Sequence, residues 1–217
     1  MNVRIELTYK TPKGTEATFR SDEMYVGEAI LIAEDLEKTG RKKDISFIDN
    51  YDASLTLKEM KQFMKGIQTE PHKITVYFDG GFNVETYQSG LGCAIYYHQN
   101  RKSYRLRKNA LIDELDSNNE AEYAALHLAI QELGLLNVAN IPITFVGDSQ
   151  VVLNQLNGEW PCMEEELTKW ADRVEHDLEN LGITPSYKLV SRKGNKEADQ
   201  LASQALKGIE ISSTKET

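Results

Sequence analysis

The stretch at residues 75–81, which reads T-V-Y-F-D-G-G, most constrains how this 217-residue chain can fold. Its alternating β-branched and aromatic residues predict a short strand. Asp79 and two glycines follow, a combination that predicts a sharp bend of the backbone where the strand ends. A carboxylate presented there on rigid backbone is well placed to hold a metal ion. The question is whether the rest of the chain brings Asp79 further acidic partners.

The composition places limits on the class of protein. The chain has 34 acidic and 25 basic residues, for a net charge of −9, which lowers the expected affinity for nucleic acid without excluding it. No apolar run approaches the length of a membrane-spanning helix, and residues 1–9 alternate charged and apolar side chains where a signal peptide would be apolar throughout. We therefore expect a cytoplasmic protein without a membrane partner. Cys93 and Cys162 lack the spacing of a zinc site or a disulfide framework.

Residues 1–70 read as a small α+β domain with the element order ββαβα. Alternating apolar residues predict the strands, and apolar residues at helical spacing predict the helices. The predicted elements are strands at residues 3–9 and 16–20, a helix at Val26–Lys38, a strand at residues 44–49 and a helix at residues 56–66. Pro71 cannot continue the last helix, so the domain boundary is expected around residues 69–72.

Residues 73–206 read as a second domain. Three strands in the first part predict an antiparallel meander, after which helices alternate with short strands. The predicted elements are strands at residues 75–79, 90–97, 102–107, 143–146 and 187–190, and helices at residues 118–136, Gln150–Leu156, 164–181 and 195–206. Residues 207–217 form a polar C-terminal tail that is expected to be frayed.

Four acidic residues of the second domain stand where predicted elements begin or end. Asp79 and Asp148 follow strands, whereas Glu122 and Asp199 lie one turn into helices. Small or polar residues flank each of them and leave room around the carboxylate. Any one of these acids alone would be read as a solvated surface charge.

Four segments resemble, in order and spacing, the motifs of the type 1 ribonuclease H family, in the reverse-transcriptase-like branch that lacks a loop histidine. They are D-G-G (79–81), N-N-E-A-E-Y-A-A-L (118–126), G-D-S-Q-V-V-L-N-Q-L-N-G (147–158) and R-K-G-N-K-E-A-D-Q-L-A (192–202). The resemblance covers residues 73–206 and implies an α/β, ribonuclease H-like fold, with a five-stranded mixed sheet flanked by helices. It also implies that Asp79, Glu122, Asp148 and Asp199 are the catalytic, metal-binding residues.

The chemistry that the resemblance implies explains why four acids are needed. Hydrolysis of a phosphodiester with two Mg²⁺ ions, for which Mn²⁺ is a substitute, requires carboxylates that bridge and flank both metals. The expected substrate is the RNA strand of an RNA/DNA hybrid, cut to 3′-hydroxyl and 5′-phosphate ends. Four converging carboxylates repel one another unless a cation binds, which makes a purely structural cluster unfavourable.

Substrate contacts follow from the same motifs. Asn118, Asn119 and Gln150 occupy positions from which family members reach the minor groove, where the 2′-hydroxyl distinguishes RNA from DNA. Ser117 is expected either to contact a phosphate or to cap the helix. Many relatives have a histidine in the loop before the last helix, where this chain has Arg192. A guanidinium there can act as a charge near the departing phosphate but not as a proton shuttle, so slower turnover is expected.

Two rival functions remain open. One is a ribonuclease H-like binding or adaptor protein with little or no catalysis, favoured by the acidic charge and the absent histidine. The other is a nuclease of the same superfamily that acts on DNA or structured RNA. Residues 1–70 contain no tryptophan and little net positive charge, which argues against a hybrid-binding module. We expect this domain to bind a protein or to mediate oligomerisation.

Overall fold

The structure is a computed structural model that describes residues 2–217, with the backbone alone at positions 67 and 68. Met1, which the sequence analysis places in the first domain, lies outside the described residues. The chain divides into two compact units between Thr69 and Glu70. No helix in the described part of the chain has the length and apolar character needed to cross a bilayer.

The first unit is an antiparallel sheet with two helices packed against it. Its elements are β1 (Asn2–Lys10), β2 (Glu16–Arg20), β3 (Met24–Tyr25), α1 (Val26–Lys38), β4 (Lys42–Ile48), β5 (Ser54–Leu55) and α2 (Leu57–Thr69). Strand β1 lies in the middle, and the sheet order is β2-β1-β4-β5, with β3 paired to the start of β1. Val3 and Ile5 of β1 and Phe47 of β4 pack with apolar residues of α1 and α2 to form a separate core. The predicted ββαβα order is present, with two short strands added.

The second unit contains a six-stranded mixed sheet. Its strands are β6 (His72–Asn83), β7 (Gln88–Gln99), β8 (Lys102–Ile112), β9 (Pro142–Gly147), β10 (Thr184–Leu189) and β11 (Ser212–Glu216), in the order β10-β9-β6-β7-β8-β11. Strands β6, β7, β8 and β11 pair antiparallel, whereas β9 runs parallel to both β6 and β10. The helices are α3 (Asn118–Leu135), α4 (Gln150–Leu156), α5 (Glu165–Asn180) and α6 (Lys196–Ala205). The predicted α/β fold with a mixed sheet flanked by helices is confirmed, but the sheet has six strands instead of the five expected, because β11 is added at the edge of β8.

Two helices lie against opposite faces of this sheet. Gly80 of β6 abuts the backbone of Ala121 in α3, whereas Gly92 of β7 abuts the backbone of Ala198 in α6. Gly92 is the register partner of Asp79, the neighbour of Gly80. Because successive strand residues point to opposite faces, α3 and α6 cover different sides of the sheet.

The predicted turn after Asp79 is wrong. Strand β6 continues through Asp79, Gly80 and Gly81 as far as Asn83, in unbroken register with β7. Gly80 is required by the neighbouring helix rather than by a bend. A Cβ atom on Gly80 would lie 2.1 Å from the carbonyl carbon of Ala121, so only glycine permits this approach.

The prediction of a frayed C-terminal tail is also wrong. Residues Ser212–Glu216 form β11, which pairs along the outer edge of β8. Backbone pairing needs no apolar side chains, so the polar composition of the tail concealed a strand. The side chain of Asn109, which is buried, fixes the tail: its Nδ2 donates to the carbonyls of Leu201 and Ile209, and its Oδ1 accepts from Ile211 N–H.

Replacing Asn109 with alanine is expected to destabilise the protein by about 2–3 kcal/mol, because buried backbone groups lose their partners. Urea unfolding measures the loss, and hydrogen exchange of residues 212–216 reports whether the tail detaches. Thr214→Ala, an exposed substitution in the same strand, is the control and should change little. Equal stability of the two variants would show that the Asn109 side chain does not hold the C-terminal strand in place.

Candidate active site

Asp79 and Asp148 are brought together by the parallel pairing of β6 with β9. Thr75 pairs with Thr144 and Tyr77 with Val146. Continuing that register by two residues places Asp79 opposite Asp148, which immediately follows β9. Asp79 is buried and Asp148 half-buried, so this part of the site is fixed by rigid backbone.

Glu122 reaches the same point from α3. The close approach of α3 to Gly80 lets the backbone N–H of Gly80 donate to Glu122 Oε2 at 3.3 Å. Carboxylate oxygens of Asp79, Glu122 and Asp148 all lie within 4.8 Å of one another. Three predicted site residues, far apart in sequence and carried by three different elements, thus form one acidic cluster.

Asn195, at the start of α6, holds two of these carboxylates. Its side chain is almost completely buried, and its Nδ2 lies 2.9 Å from Asp148 Oδ1, 3.4 Å from Asp79 Oδ1 and 2.8 Å from the carbonyl oxygen of Phe78. Its own Oδ1 is buried without a hydrogen-bond partner among the described residues. The sequence pattern predicts that a helix starts at Asn195, yet the Asn195 side chain makes no capping hydrogen bond. The only signal was an asparagine one turn before Asp199.

Asp199, the fourth predicted acid, lies in the first turn of α6 and is paired with Arg192. The Arg192 Nη2 and Nε atoms lie 2.7 Å and 3.1 Å from Asp199 Oδ1. Asp199 is not part of the three-carboxylate cluster, although its charge contributes to the raised pKa of Asp79, and its carboxylate is paired with a guanidinium. The Arg192 side chain is otherwise exposed, on the 3₁₀ turn Arg192–Gly194. The hydrogen bond to Asp199, together with the negative charges of Asp199, Asp79 and Asp148, raises the pKa of Arg192, so it remains a cation.

Burial and mutual repulsion raise the pKa values of two carboxyl groups in the cluster, those of Asp79 and Glu122. Burial, together with a hydrogen bond and repulsion from Asp148, raises the pKa of Asp79 to about 8. Burial and repulsion from Asp79 and Asp148 raise the pKa of Glu122 to about 9. Carboxylate oxygens are the ligands that hard divalent cations prefer, and a cation removes this repulsion. The donor set therefore fits a hard divalent cation.

These pKa shifts predict how metal-free stability depends on pH. Between the unfolded-state values of 3.8 and 4.5 and the folded-state values of about 8 and 9, the folded protein holds protons that the unfolded chain has lost. The contribution of these two carboxyls to the free energy of unfolding should therefore fall as pH rises from about 4.5 to about 9, by at most about 1.4 kcal/mol per pH unit for each carboxyl. Urea unfolding in EDTA measures the slope, and Mg²⁺ should reduce it. Identical slopes with and without Mg²⁺ would argue against a metal at these acids.

The predicted substrate-contact residues differ in their solvent exposure and in their hydrogen bonds. Asn118 is exposed at the first turn of α3, where its Oδ1 accepts from Phe82 N–H, and Asn119 is half-buried beside it. Gln150 is exposed at the first position of α4. Ser117 is the N-cap of α3: its hydroxyl accepts from Glu120 N–H and donates to the Glu120 carboxylate. The capping alternative for Ser117 is thus realised in the structure.

The fold and the acidic cluster define a protein of the ribonuclease H-like class, type 1. The chain belongs to the reverse transcriptase-like family, whose model matches residues 77–205, more than half of its length. It is 43% identical over 193 residues to "Uncharacterized protein YpeP" of Bacillus subtilis. The aligned region covers 89% of this chain and 85% of that protein. This match is longer than the second unit, so it extends into the first unit as well.

Solved structures share the fold of the second unit. RNase H1 from the halophilic archaeon Halobacterium salinarum is 26% identical, with a TM-score of 0.53, over 62% of this chain and 98% of that one. LC11-RNase H1 in complex with an RNA/DNA hybrid is 23% identical, with a TM-score of 0.54, over 63% of this chain and 98% of that one. The predicted family is thereby confirmed.

Proposed function

We propose that this protein is a metal-dependent endoribonuclease that cuts the RNA strand of RNA/DNA hybrids, leaving 3′-hydroxyl and 5′-phosphate ends. The convergence of Asp79, Glu122 and Asp148 within 4.8 Å carries the proposal. Buried acids at such a distance oppose folding unless they serve a cation. The fold adds support, because a structure with the same architecture was solved with an RNA/DNA hybrid.

The proposed reaction is two-metal-ion hydrolysis, with Mg²⁺ as the cofactor and Mn²⁺ as a substitute. When bound, the two ions supply an activated water and stabilise the leaving 3′ oxygen. Asp79, Glu122, Asp148 and Asp199 are the residues that would hold them. Asn195 keeps Asp79 and Asp148 at a fixed separation through its shared Nδ2 donor. That preorganisation limits the rearrangement needed when the ions bind.

Arg192 has two proposed roles that follow from its position. Its guanidinium pairs with Asp199 and lies near enough to Asp79 and Asp148 to feel their charge. With substrate bound, it is placed to attract the departing phosphate. It does not titrate near neutral pH, so it does not relay a proton, and turnover should be slower than with a histidine at this position.

Recognition of the RNA strand of the hybrid is proposed to rest on side chains at the starts of helices α3 and α4. The amides of Asn118, Asn119 and Gln150 both donate and accept hydrogen bonds, so they can read a ribose 2′-hydroxyl and a base edge together. Exposure of Asn118 and Gln150 leaves them accessible to a minor groove. Ser117 keeps the first turn of α3, which carries both asparagines, in place.

Cleavage of end-labelled duplexes tests the proposal. RNA/DNA hybrid, duplex DNA and duplex RNA of one sequence are incubated with Mg²⁺, with Mn²⁺ or with EDTA. We expect cutting of the hybrid's RNA strand with either metal and none in EDTA, with products that a ligase requiring 5′-phosphate accepts. Equal cutting of hybrid and duplex DNA would point instead to the broader nuclease alternative.

The Arg192–Asp199 ion pair favours one second candidate, a ribonuclease H-like adaptor that binds nucleic acid with little catalysis. In that case the guanidinium holds Asp199 permanently instead of a metal. Hybrid binding without cleavage in either metal would support the adaptor and sink the enzyme. Arg192→Ala then separates the two further, since regained cleavage in the variant identifies the ion pair as the block.

A further inference from the structure

Strand β2 forms an open edge of the first unit's sheet. Its five residues, E-A-T-F-R, are all exposed, and among the strands that the structure describes only β1 pairs with it. Phe19, the fourth residue of this strand, leaves 56% of its surface exposed, although it touches Tyr9 edge-on. An open strand with an exposed aromatic residue is a template for pairing with another strand.

The register shows which backbone groups of β2 are available. The N–H of Ser21 donates to the carbonyl of Ile5 on β1 at 3.0 Å, and the pairing between β1 and β2 then runs without a shift. In an antiparallel pair, residues alternate between those bonded to the neighbour and those directed away from it. Ala17 and Phe19 therefore bond to β1. The N–H and carbonyl groups of Glu16, Thr18 and Arg20 point outward.

These outward residues are complementary to themselves. If a second copy of β2 is laid antiparallel with the two Thr18 residues opposite each other, Glu16 of each copy faces Arg20 of the other. The three resulting pairs use only outward-directed backbone groups, so each exchanges two hydrogen bonds, about six in all. Opposite charges also stand at both ends of the pairing, an arrangement that favours one register over its neighbours.

The apolar side of the strand fits the same arrangement. Ala17 and Phe19 share the other face of β2, and in this register Phe19 of one copy lies opposite Ala17 of the other. That pair is not hydrogen-bonded, which brings its side chains closest together. A large side chain opposite a small one packs without a clash, so each Phe19 loses water-exposed surface.

We propose that two copies of this protein associate through β2, which joins their first-unit sheets into one continuous antiparallel sheet about a two-fold axis. The interface is isologous, since each copy contributes the same five residues. Its area lies at the low end of specific interfaces, so association should be reversible and concentration-dependent. The proposal concerns the first unit and stands independently of the catalytic function.

Glu16 and Arg20 already form ion pairs within their own chain, and the proposed dimer adds a further charged partner to each of them. Glu16 bonds Lys43 at 2.6 Å and lies 3.6 Å from Lys10, and Arg20 pairs with Glu6. All of these side chains lie at the outer face, where the second copy adds one more opposite charge to each end. Since the pairs are solvent-exposed, each contributes modestly, and they act mainly on register and specificity.

A proline substitution in the full-length protein tests the backbone pairing. Thr18→Pro removes an N–H that β1 does not use, so the monomer should keep its fold while pairing across the edge is lost. Sedimentation velocity over a range of concentrations should show dimers for the wild type and only monomers for Thr18→Pro. Thr18→Val, which keeps the N–H, is the control and should remain dimeric. A monomeric wild type at every soluble concentration would overturn the proposal.

Charge exchange tests the register with a readout that misfolding cannot imitate. Arg20→Glu places acids opposite one another, and Glu16→Arg places bases opposite one another, so each variant alone should fail to self-associate. Mixed in equal amounts, they restore opposite charges at both ends and should form a one-to-one heterodimer. Failure of the mixture to associate would refute this register, as would dimerisation of each variant alone at the wild-type strength.

Discussion

Asp148→Asn is expected to abolish cleavage of an RNA/DNA hybrid while leaving the protein folded. The variant loses the negative charge that Asp148 contributes beside Asp79 and Glu122, and an amide is a poor ligand for Mg²⁺ compared with a carboxylate. Activity should fall by at least about 10³-fold, the scale on which loss of one group that stabilises a transition state lowers a rate. Single-turnover cleavage with enzyme in excess measures the effect directly.

Asp148→Asn is also expected to affect stability, and here the expected effect is neutral or favourable, in contrast to the loss of activity. Asparagine keeps an oxygen that can accept the Asn195 Nδ2 donor, now 2.9 Å from Asp148 Oδ1. Removing one of three mutually repelling charges should therefore leave stability in EDTA equal to or higher than that of the wild type. Asp172→Asn, which neutralises an exposed acid on α5, is the control and should remain active. Full activity of Asp148→Asn would refute the proposed site.

Local sequence patterns predicted the elements of this site better than they predicted how the elements meet. Periodicity placed Glu122 one turn into a helix and Asp148 just after a strand, as the structure has them. Periodicity contains no information on register, so the opposition of Asp79 and Asp148 required the parallel pairing of β6 with β9. The family motifs supplied that pairing indirectly, through the fold that they imply.

Asn195 shows what a local pattern misses. An asparagine before a helix is ordinarily a capping residue, and nothing in its neighbours distinguishes another role. Here the side chain turns away from the helix and donates to two carboxylates that lie 47 and 116 residues away in sequence. Only the packing of α6 against β6 and β7 makes this contact. A polar residue buried by tertiary packing is therefore invisible to sequence periodicity.

The first unit shows a different limit. Its strands and helices were predicted closely, because alternating and helical patterns are clear there and Gly40, at a positive φ, ends α1. Its role did not follow from those patterns. The hydrogen bond between Ser21 N–H and the Ile5 carbonyl shows that the backbone groups of Glu16, Thr18 and Arg20 point outward. Amino-acid composition contains no information on this hydrogen bond.

Gly80→Ala is expected to produce the largest loss of stability of any single methyl addition near the site. The new Cβ would lie 2.1 Å from the carbonyl carbon of Ala121 and 2.4 Å from the backbone nitrogen of Glu122. Both atoms belong to the backbone of α3, so no rotation of a side chain relieves the clash. Either α3 retreats from the sheet or β6 distorts, at a cost of about 3 kcal/mol or more.

The neighbouring glycine provides a matched control, and the pair decides between two explanations of the D-G-G segment. A Cβ on Gly81 would meet only Leu206 Cδ1 at 3.6 Å, an ordinary contact, so Gly81→Ala should retain near wild-type stability. If the glycines served a sharp turn, both substitutions would be harmful. Urea unfolding in EDTA compares the two variants, and equal stabilities would contradict the close approach of α3. Because α3 also carries Glu122, the retreat that Gly80→Ala forces should weaken Mg²⁺ binding in any protein that still folds, whereas Gly81→Ala should bind Mg²⁺ normally.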